Sequence, residues 1–140
     1  MASYDIDALI KKSIEAKAHA YCPYSKFPVG AALITKDGTV YTGCNVENAS
    51  YPLSLCAERT AMVKAISEGH REFRAIAVAT DMEHWAAPCG ACRQCLLEFG
   101  SDWDVIMSKP DLTYLLKKTG ELLPHGFTPD KLTTFQEGKK

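Results

Sequence analysis

Three cysteines, far apart in the chain but matched in chemistry, constrain this sequence more than any other feature. Cys56 stands in the run CAERTA with Glu58 two residues on, and Cys89 and Cys92 stand in PCGACRQ, the first of them 33 positions beyond Cys56. A CxxC pair places two sulfurs on one ion across a single turn, so a fold that returns Cys56 to that turn completes a set of three thiolates. Catalytic zinc keeps three protein ligands and leaves the fourth tetrahedral position open, whereas structural zinc is closed by four. Three thiolates with a carboxylate beside them therefore read as an open zinc site, with Glu58 free to move protons. Cys95 keeps a second reading available. It follows Cys92 at i+3, and on a helix that spacing brings it near the same ion as the fourth ligand of a closed site. Glu58 taken alone also has a plainer role, as an acidic residue favoured at a helix N-terminus.

Size and composition set the limits within which that site must be built. At 140 residues the chain is expected to form one domain over 1–140, frayed at 1–5 and 134–140. Hydrophobic and charged fractions of 46% and 24% are those of an ordinary globular protein and argue against disorder. The formal net charge of −1 lacks the basic surplus that a nucleic-acid binder clusters on one face, and Lys11 with Lys12 or Lys117 with Lys118 are isolated pairs. No apolar run approaches the ~18 residues of a membrane span, and MASYDIDALIKK has no signal-peptide pattern. Neither a nucleic-acid nor a membrane partner is expected. The expected compartment is the cytoplasm, with nuclear entry left open. There the six cysteines read as thiols or metal ligands, and Cys22, Cys44 and Cys95 as small buried hydrophobes.

Periodicity gives an alternation of helices and strands. Ile6, Leu9, Ile10 and Ile14 recur at helical spacing and predict a first helix that stops before Pro23. Residues 29–35 and 39–42 read as a hairpin turning at Asp37 and Gly38. Residues 56–67 predict a helix with Gly69 beyond its end, and 73–80 a strand covered on both faces. A third helix over 91–99, strands over 104–107 and 113–118, and a short helix from 121 complete the order. Such an order implies a three-layer α/β/α sandwich around a five-stranded mixed sheet, with right-handed parallel crossovers on either side of strand 73–80. Both cysteine motifs then fall at helix N-termini beside strand ends, where free N–H groups favour anionic sulfur.

Four blocks, in order, carry a resemblance: YCPYSKFPVGAAL at 21–33, GCNVENASYPLSLCAERTA at 43–61, APCGACRQ at 87–94 and ELLPHGF at 121–127. Together they make the chain resemble the cytidine deaminase family, in its small, homotetrameric, three-cysteine branch. The resemblance implies hydrolytic deamination of cytidine and 2′-deoxycytidine in pyrimidine salvage, with one zinc per subunit held by Cys56, Cys89 and Cys92. Glu58 would serve as both base and acid in that reaction. It also implies that Phe27 packs against the pyrimidine and that Asn45 and Glu47 bond the ribose 3′-hydroxyl. The backbone amide of Ala57 would hold the base carbonyl, and Ala49, Tyr51 and Phe127 would enter a neighbouring subunit's site.

Three thiolates leave a bound Zn²⁺ with a net negative charge, so a nearby cation should offset the sulfur charge. Arg59 is the first candidate and Arg93 the second, each with a surface ion pair as its alternative. His19, His70, His84 and His125 match no ligand position. A carboxylate at 47 accepts from a sugar hydroxyl but repels a phosphate, which favours nucleosides over nucleotides. Blasticidin-type deaminases share CAE and PCGACRQ, although FPVGAAL followed by NVENASY fits the nucleoside branch better. A polynucleotide-editing deaminase would need a basic or aromatic channel that the charge does not supply. A thioredoxin-like redox CxxC would leave Cys56 without a purpose.

Overall fold

The computed structural model describes residues 3–138. Its first helix, α1 (Ile6–Lys17), starts where the Asp5 carboxylate accepts the Ala8 N–H at 3.0 Å. Strand β1 (Val29–Thr35) turns at Asp37 and Gly38 into β2 (Val40–Cys44), and a single 3-10 turn over Tyr51–Leu53 leads into α2 (Ala57–Ser67). Strand β3 (Phe73–Thr80), α3 (Gly90–Leu97), β4 (Asp104–Ser108) and β5 (Tyr114–Lys118) follow, then α4 (Thr119–Leu122) and α5 (Pro129–Glu137).

The five strands form one mixed sheet in the order β2-β1-β3-β4-β5. β1 pairs antiparallel with both β2 and β3, β3 pairs parallel with β4, and β4 pairs antiparallel with β5. The unit β3–α3–β4 is thus the parallel crossover the sequence predicts, between adjacent strands. The unit before it differs. β2 runs in the same direction as β3, but β1 lies between them, so α2 crosses over a strand. Burial explains the order: β1 is covered on both faces and takes a central place, whereas β2 is mostly half-buried and takes the edge.

Helices cover both faces, as an α/β/α sandwich requires. On one face Leu9 and Ile10 of α1 pack with Ala32, Ala75, Ala77 and Ile106. On the other, Ala57, Ala61, Met62 and Ala65 of α2 and Leu96 of α3 pack with Leu33, Ile76, Val105 and Met107. Two glycines let the helices approach the sheet closely. A Cβ at Gly30 would lie 2.0 Å from the Ser13 carbonyl oxygen of α1, and one at Gly43 would lie 2.5 Å from the Ala61 nitrogen and 2.6 Å from the Ala57 oxygen of α2. The first turn of α2 is therefore seated directly on β2.

Residues 134–137 lie in α5, which starts with Pro129 in its first turn and Asp130 beside the free N–H groups. At the other terminus the Tyr4 hydroxyl donates to Asp104 at 2.6 Å and Asp5 caps α1. Residues 1, 2, 139 and 140 lie outside the described residues.

Candidate active site

Both cysteine motifs sit at helix starts on the same side of the sheet. Cys56 is the N-cap of α2, Cys89 is the N-cap of α3, and Cys92 is in the first turn of α3. Cys56 is brought there by paired backbone hydrogen bonds between Val46 and Leu55, at 2.9 and 2.8 Å, which fix the segment just before it. The three sulfurs lie within 4.8 Å of one another. Zinc–sulfur bonds of about 2.3 Å in tetrahedral array place sulfurs roughly 3.8 Å apart, so small side-chain adjustments let this donor set hold the ion. Among the described residues these are the grouped donors. Cys95 is not one of them. It lies a further turn along α3, packed against the apolar core with Phe99, and an i+3 step moves a side chain about 4.5 Å along the axis. The closed four-cysteine reading fails on that position. None of His19, His70, His84 and His125 belongs to the donor set either.

Charge at the site is arranged around the sulfurs. The Cys56 thiol is pulled well below its usual range, first by a hydrogen bond from Cys92 and then by Arg59. An Arg59 guanidinium nitrogen donates to the Cys56 sulfur at 3.4 Å, and that contact holds the guanidinium firmly charged. Cys92 shifts the other way, because it donates its proton to Cys56 and is buried. A metal binding here displaces that proton. Glu58, in the first turn of α2, is only 4% exposed. Burial pushes its carboxyl up to about 7, where it can both hold and release a proton at neutral pH. Arg93 does something different from Arg59. Its Nε donates to the Pro88 carbonyl at 2.9 Å and another guanidinium nitrogen to the Leu122 carbonyl at 3.0 Å, bracing the approach to α3.

A cavity of about 310 Å³ opens on these groups, lined by Cys56, Ala57, Glu58 and Cys89 together with Phe27, Asn45 and Glu47. Asn45 and Glu47 are bonded to the strap that carries Phe27. Asn45 donates through Nδ2 to the Phe27 carbonyl at 2.8 Å and accepts the Val29 N–H at 2.9 Å. Glu47 accepts the backbone N–H groups of Tyr24 and Ser25, both at 3.1 Å, as well as the Ser25 hydroxyl, which lowers its pKa. Ala49, Tyr51 and Phe127 do not line this cavity. Tyr51 is 60% and Phe127 57% exposed.

The lining also includes residues that sequence reasoning missed: Ser25, Val29, Val78, Thr80, Met82 and Ala87. Val78, Thr80 and Met82 stand at alternate positions on the end of β3 and just past it, so a period of two puts them on one face. That signal was present in the sequence. Ser25 had no such signal, because its partner lies 22 positions away.

Fold and donor set together define an α/β/α zinc protein with three thiolate ligands and a buried carboxylate beside them. A sequence model described as the cytidine and deoxycytidylate deaminase zinc-binding region matches residues 3–108. A cytidine deaminase of Sporosarcina psychrophila is 57% identical over 95 residues, covering 68% of this chain and 70% of that protein. A probable cytidine deaminase of Dictyostelium discoideum is 45% identical over 133 residues, covering 94% and 90%. Among solved structures, a cytidine deaminase from Burkholderia pseudomallei superposes with a TM-score of 0.86 at 47% identity, covering 89% of this chain and all of that one. The chain belongs to the zinc-dependent cytidine and deoxycytidylate deaminase family.

Proposed function

We propose that this protein hydrolyses the exocyclic amine of cytidine and 2′-deoxycytidine, so that nucleoside and water give the corresponding uridine and ammonia. The observation that carries this reading is the nine-tenths-buried Glu58 carboxyl, which lines the same cavity as Cys56, Cys89 and the sugar-facing candidate Glu47. Zinc held by Cys56, Cys89 and Cys92 supplies a Lewis acid that makes water nucleophilic near neutral pH. Glu58 takes a proton from the attacking water and delivers it to ring N3 so that C4 becomes electrophilic; it then takes the proton of the new C4 hydroxyl and passes it to the departing amine as the C4 carbonyl forms and the C–N bond breaks. Its burial, which favours the protonated form, lets it hold a proton between the two transfers.

Other residues of the chain bind and orient. The Ala57 N–H is in the first turn of α2, where backbone donors have no partner within the helix, and is available to the base carbonyl oxygen. Phe27 offers an aromatic face to the pyrimidine. Arg59 offsets the negative charge of the thiolates through its bond to Cys56. Asn45 and Glu47 take the sugar. An ionised Glu47 repels a phosphate, which favours nucleosides over deoxycytidylate within this family.

The assembly that fits this site is a homotetramer in which Ala49, Tyr51 and Phe127 enter a neighbouring subunit's cavity. Its setting is pyrimidine salvage in the cytoplasm, with a small nucleoside and no nucleic acid or membrane as partner. No described helix is long and apolar enough to cross a membrane. The test is ammonia release by zinc-loaded protein from cytidine, 2′-deoxycytidine and deoxycytidylate in parallel. Turnover of both nucleosides with the nucleotide far slower is expected. Preference for the nucleotide, or no turnover of either nucleoside, would overturn the reading.

A further inference from the structure

Residues 24–29 form a strap that carries the aromatic side of the cavity, and the segment after β2 holds it through Asn45 and Glu47. One hydroxyl joins the two parts. Ser25 donates to one Glu47 oxygen, and its own oxygen accepts the Phe27 N–H at 3.1 Å. Ser25 therefore touches the carboxylate and the backbone of the aromatic residue at once, and it lines the cavity itself. The chain between these contacts is bent at Lys26, whose φ of 60° lies in the left-handed region. That uncommon conformation for a non-glycine residue turns the Phe27 N–H back toward the Ser25 oxygen.

We propose that Ser25 is a positioning residue that aims the Glu47 carboxylate at a sugar hydroxyl and couples that aim to the placement of Phe27, so that Ser25 helps select substrates by their sugar. The inference rests on the nucleoside reading given above. A carboxylate accepts along about four directions on two oxygens. In Glu47 one oxygen takes the Tyr24 and Ser25 amides and the other takes the Ser25 hydroxyl, which leaves one direction on the second oxygen. That direction depends on Ser25. Without the hydroxyl, the first oxygen keeps its two amides while the second loses the one donor it has among the described residues, and the remaining lone pair is no longer fixed. Phe27 loses the acceptor of its N–H in the same change.

A purely structural loop serine and a positioning serine differ in what they do to discrimination. Cytidine and 2′,3′-dideoxycytidine separate the two roles, because the second lacks the 2′- and 3′-hydroxyls and keeps only the 5′-hydroxyl, whereas Glu47 is assigned to the 3′-hydroxyl. The measurement is kcat and KM for both substrates with zinc-loaded wild type, Ser25→Ala, Ser25→Thr, Glu47→Gln and the Ser25→Ala/Glu47→Gln pair, with melting temperatures. Wild type is expected to prefer cytidine. Ser25→Ala should lose about tenfold in kcat/KM on cytidine, chiefly in KM, and little on the dideoxy substrate, as for a lost hydrogen bond to a charged group. Ser25→Thr should restore most of the preference, and Ser25→Ala should add little once Glu47 is Gln. If Ser25→Ala melts below the assay temperature, Ser25→Cys replaces it with the same expected loss, because a thiol is a weak donor. An unchanged cytidine to dideoxycytidine ratio in an active Ser25→Ala enzyme overturns the role of Ser25 and leaves the deaminase reading standing. Equal use of both substrates by wild type removes the sugar role of Glu47 and this inference with it. A wild type inactive on cytidine overturns the proposed function itself.

Discussion

At the residue scale, Glu58 has two properties that are costly apart from function: it is a carboxyl almost fully removed from water, and it lies beside the Cys56 thiolate, which repels its charge. Replacing it separates chemistry from metal binding. Glu58→Ala is expected to retain about one zinc per chain, because all three thiols remain, while turnover falls by roughly 10³-fold or more. Metal analysis and ammonia release on the same sample check both; retained turnover would remove Glu58 from the proton path. Cys95→Ala is expected to keep zinc and most activity, because that thiol packs in the core. Zinc loss in this variant would restore the four-cysteine alternative. These residues were legible in the sequence because ligand type, spacing and the adjacent carboxylate are local. Arg59 was legible for the same reason, three positions from the sulfur it meets. Ser25 was not, because a serine that bonds a carboxylate across 22 positions looks like any loop serine until the chain is folded.

At the scale of elements, the site depends on how closely α2 lies on β2. Gly43→Ala places a methyl group within 2.6 Å of the backbone of α2, which has to shift and move Cys56 and Glu58 with it. The expected result is a loss of about 1–3 kcal/mol of stability together with reduced zinc content and turnover. A thermal melt and metal analysis would show it, and a normally active, equally stable variant would mean that α2 can move without cost. The β1–β2 hairpin gives a prediction with a pH sign. Hydrogen bonds from Thr35 and Thr39 hold the Asp37 carboxyl at about 2 in the folded protein, below its unfolded value of about 3.9. Its contribution is therefore complete above pH ~4 and is lost as the pH falls through about 2. Melting temperatures of wild type and Asp37→Asn should differ above pH ~4 and converge on acidification. Zinc leaves both proteins over the same range, so the difference between them is the readout. Hairpin, helices and strands were legible because period and turn chemistry are local. The place of β1 between β2 and β3 follows from burial across the whole sheet, and α5, which buries no residue, carries only Leu132 and Phe135 at helical spacing, too short a pattern to announce a helix.

At the scale of the whole molecule, the predicted substrate-binding residues that this chain does not bring to its own cavity, Ala49, Tyr51 and Phe127, share one feature: they are exposed and apolar. Tyr51 lies edge-on to Tyr24 with ring centroids 5.9 Å apart, and exposed Tyr21, Val46 and Leu53 belong to the same two segments that border the cavity. Apolar exposure concentrated beside a binding site marks a protein contact. Phe127 is held in a way that fits this. The Gln94 side-chain amide pairs with its backbone in both directions, donating to the carbonyl at 2.6 Å and accepting the N–H at 3.3 Å, so the backbone beneath the exposed ring is tied to α3, the helix whose start carries Cys89 and Cys92. In the proposed tetramer this anchored segment is the one that lends its ring to a neighbouring subunit's cavity. If subunits exchange Phe127, two damaged chains should repair one another. Glu58→Ala lacks the proton carrier of its own cavity, and Phe127→Ala lacks the ring it lends to the next. Mixed assemblies contain cavities with Glu58 from one chain and Phe127 from the other. Refolding the two variants together should therefore give activity above the average of the two refolded apart, at an unchanged assembly mass. Activity equal to that average would show that each subunit completes its own site.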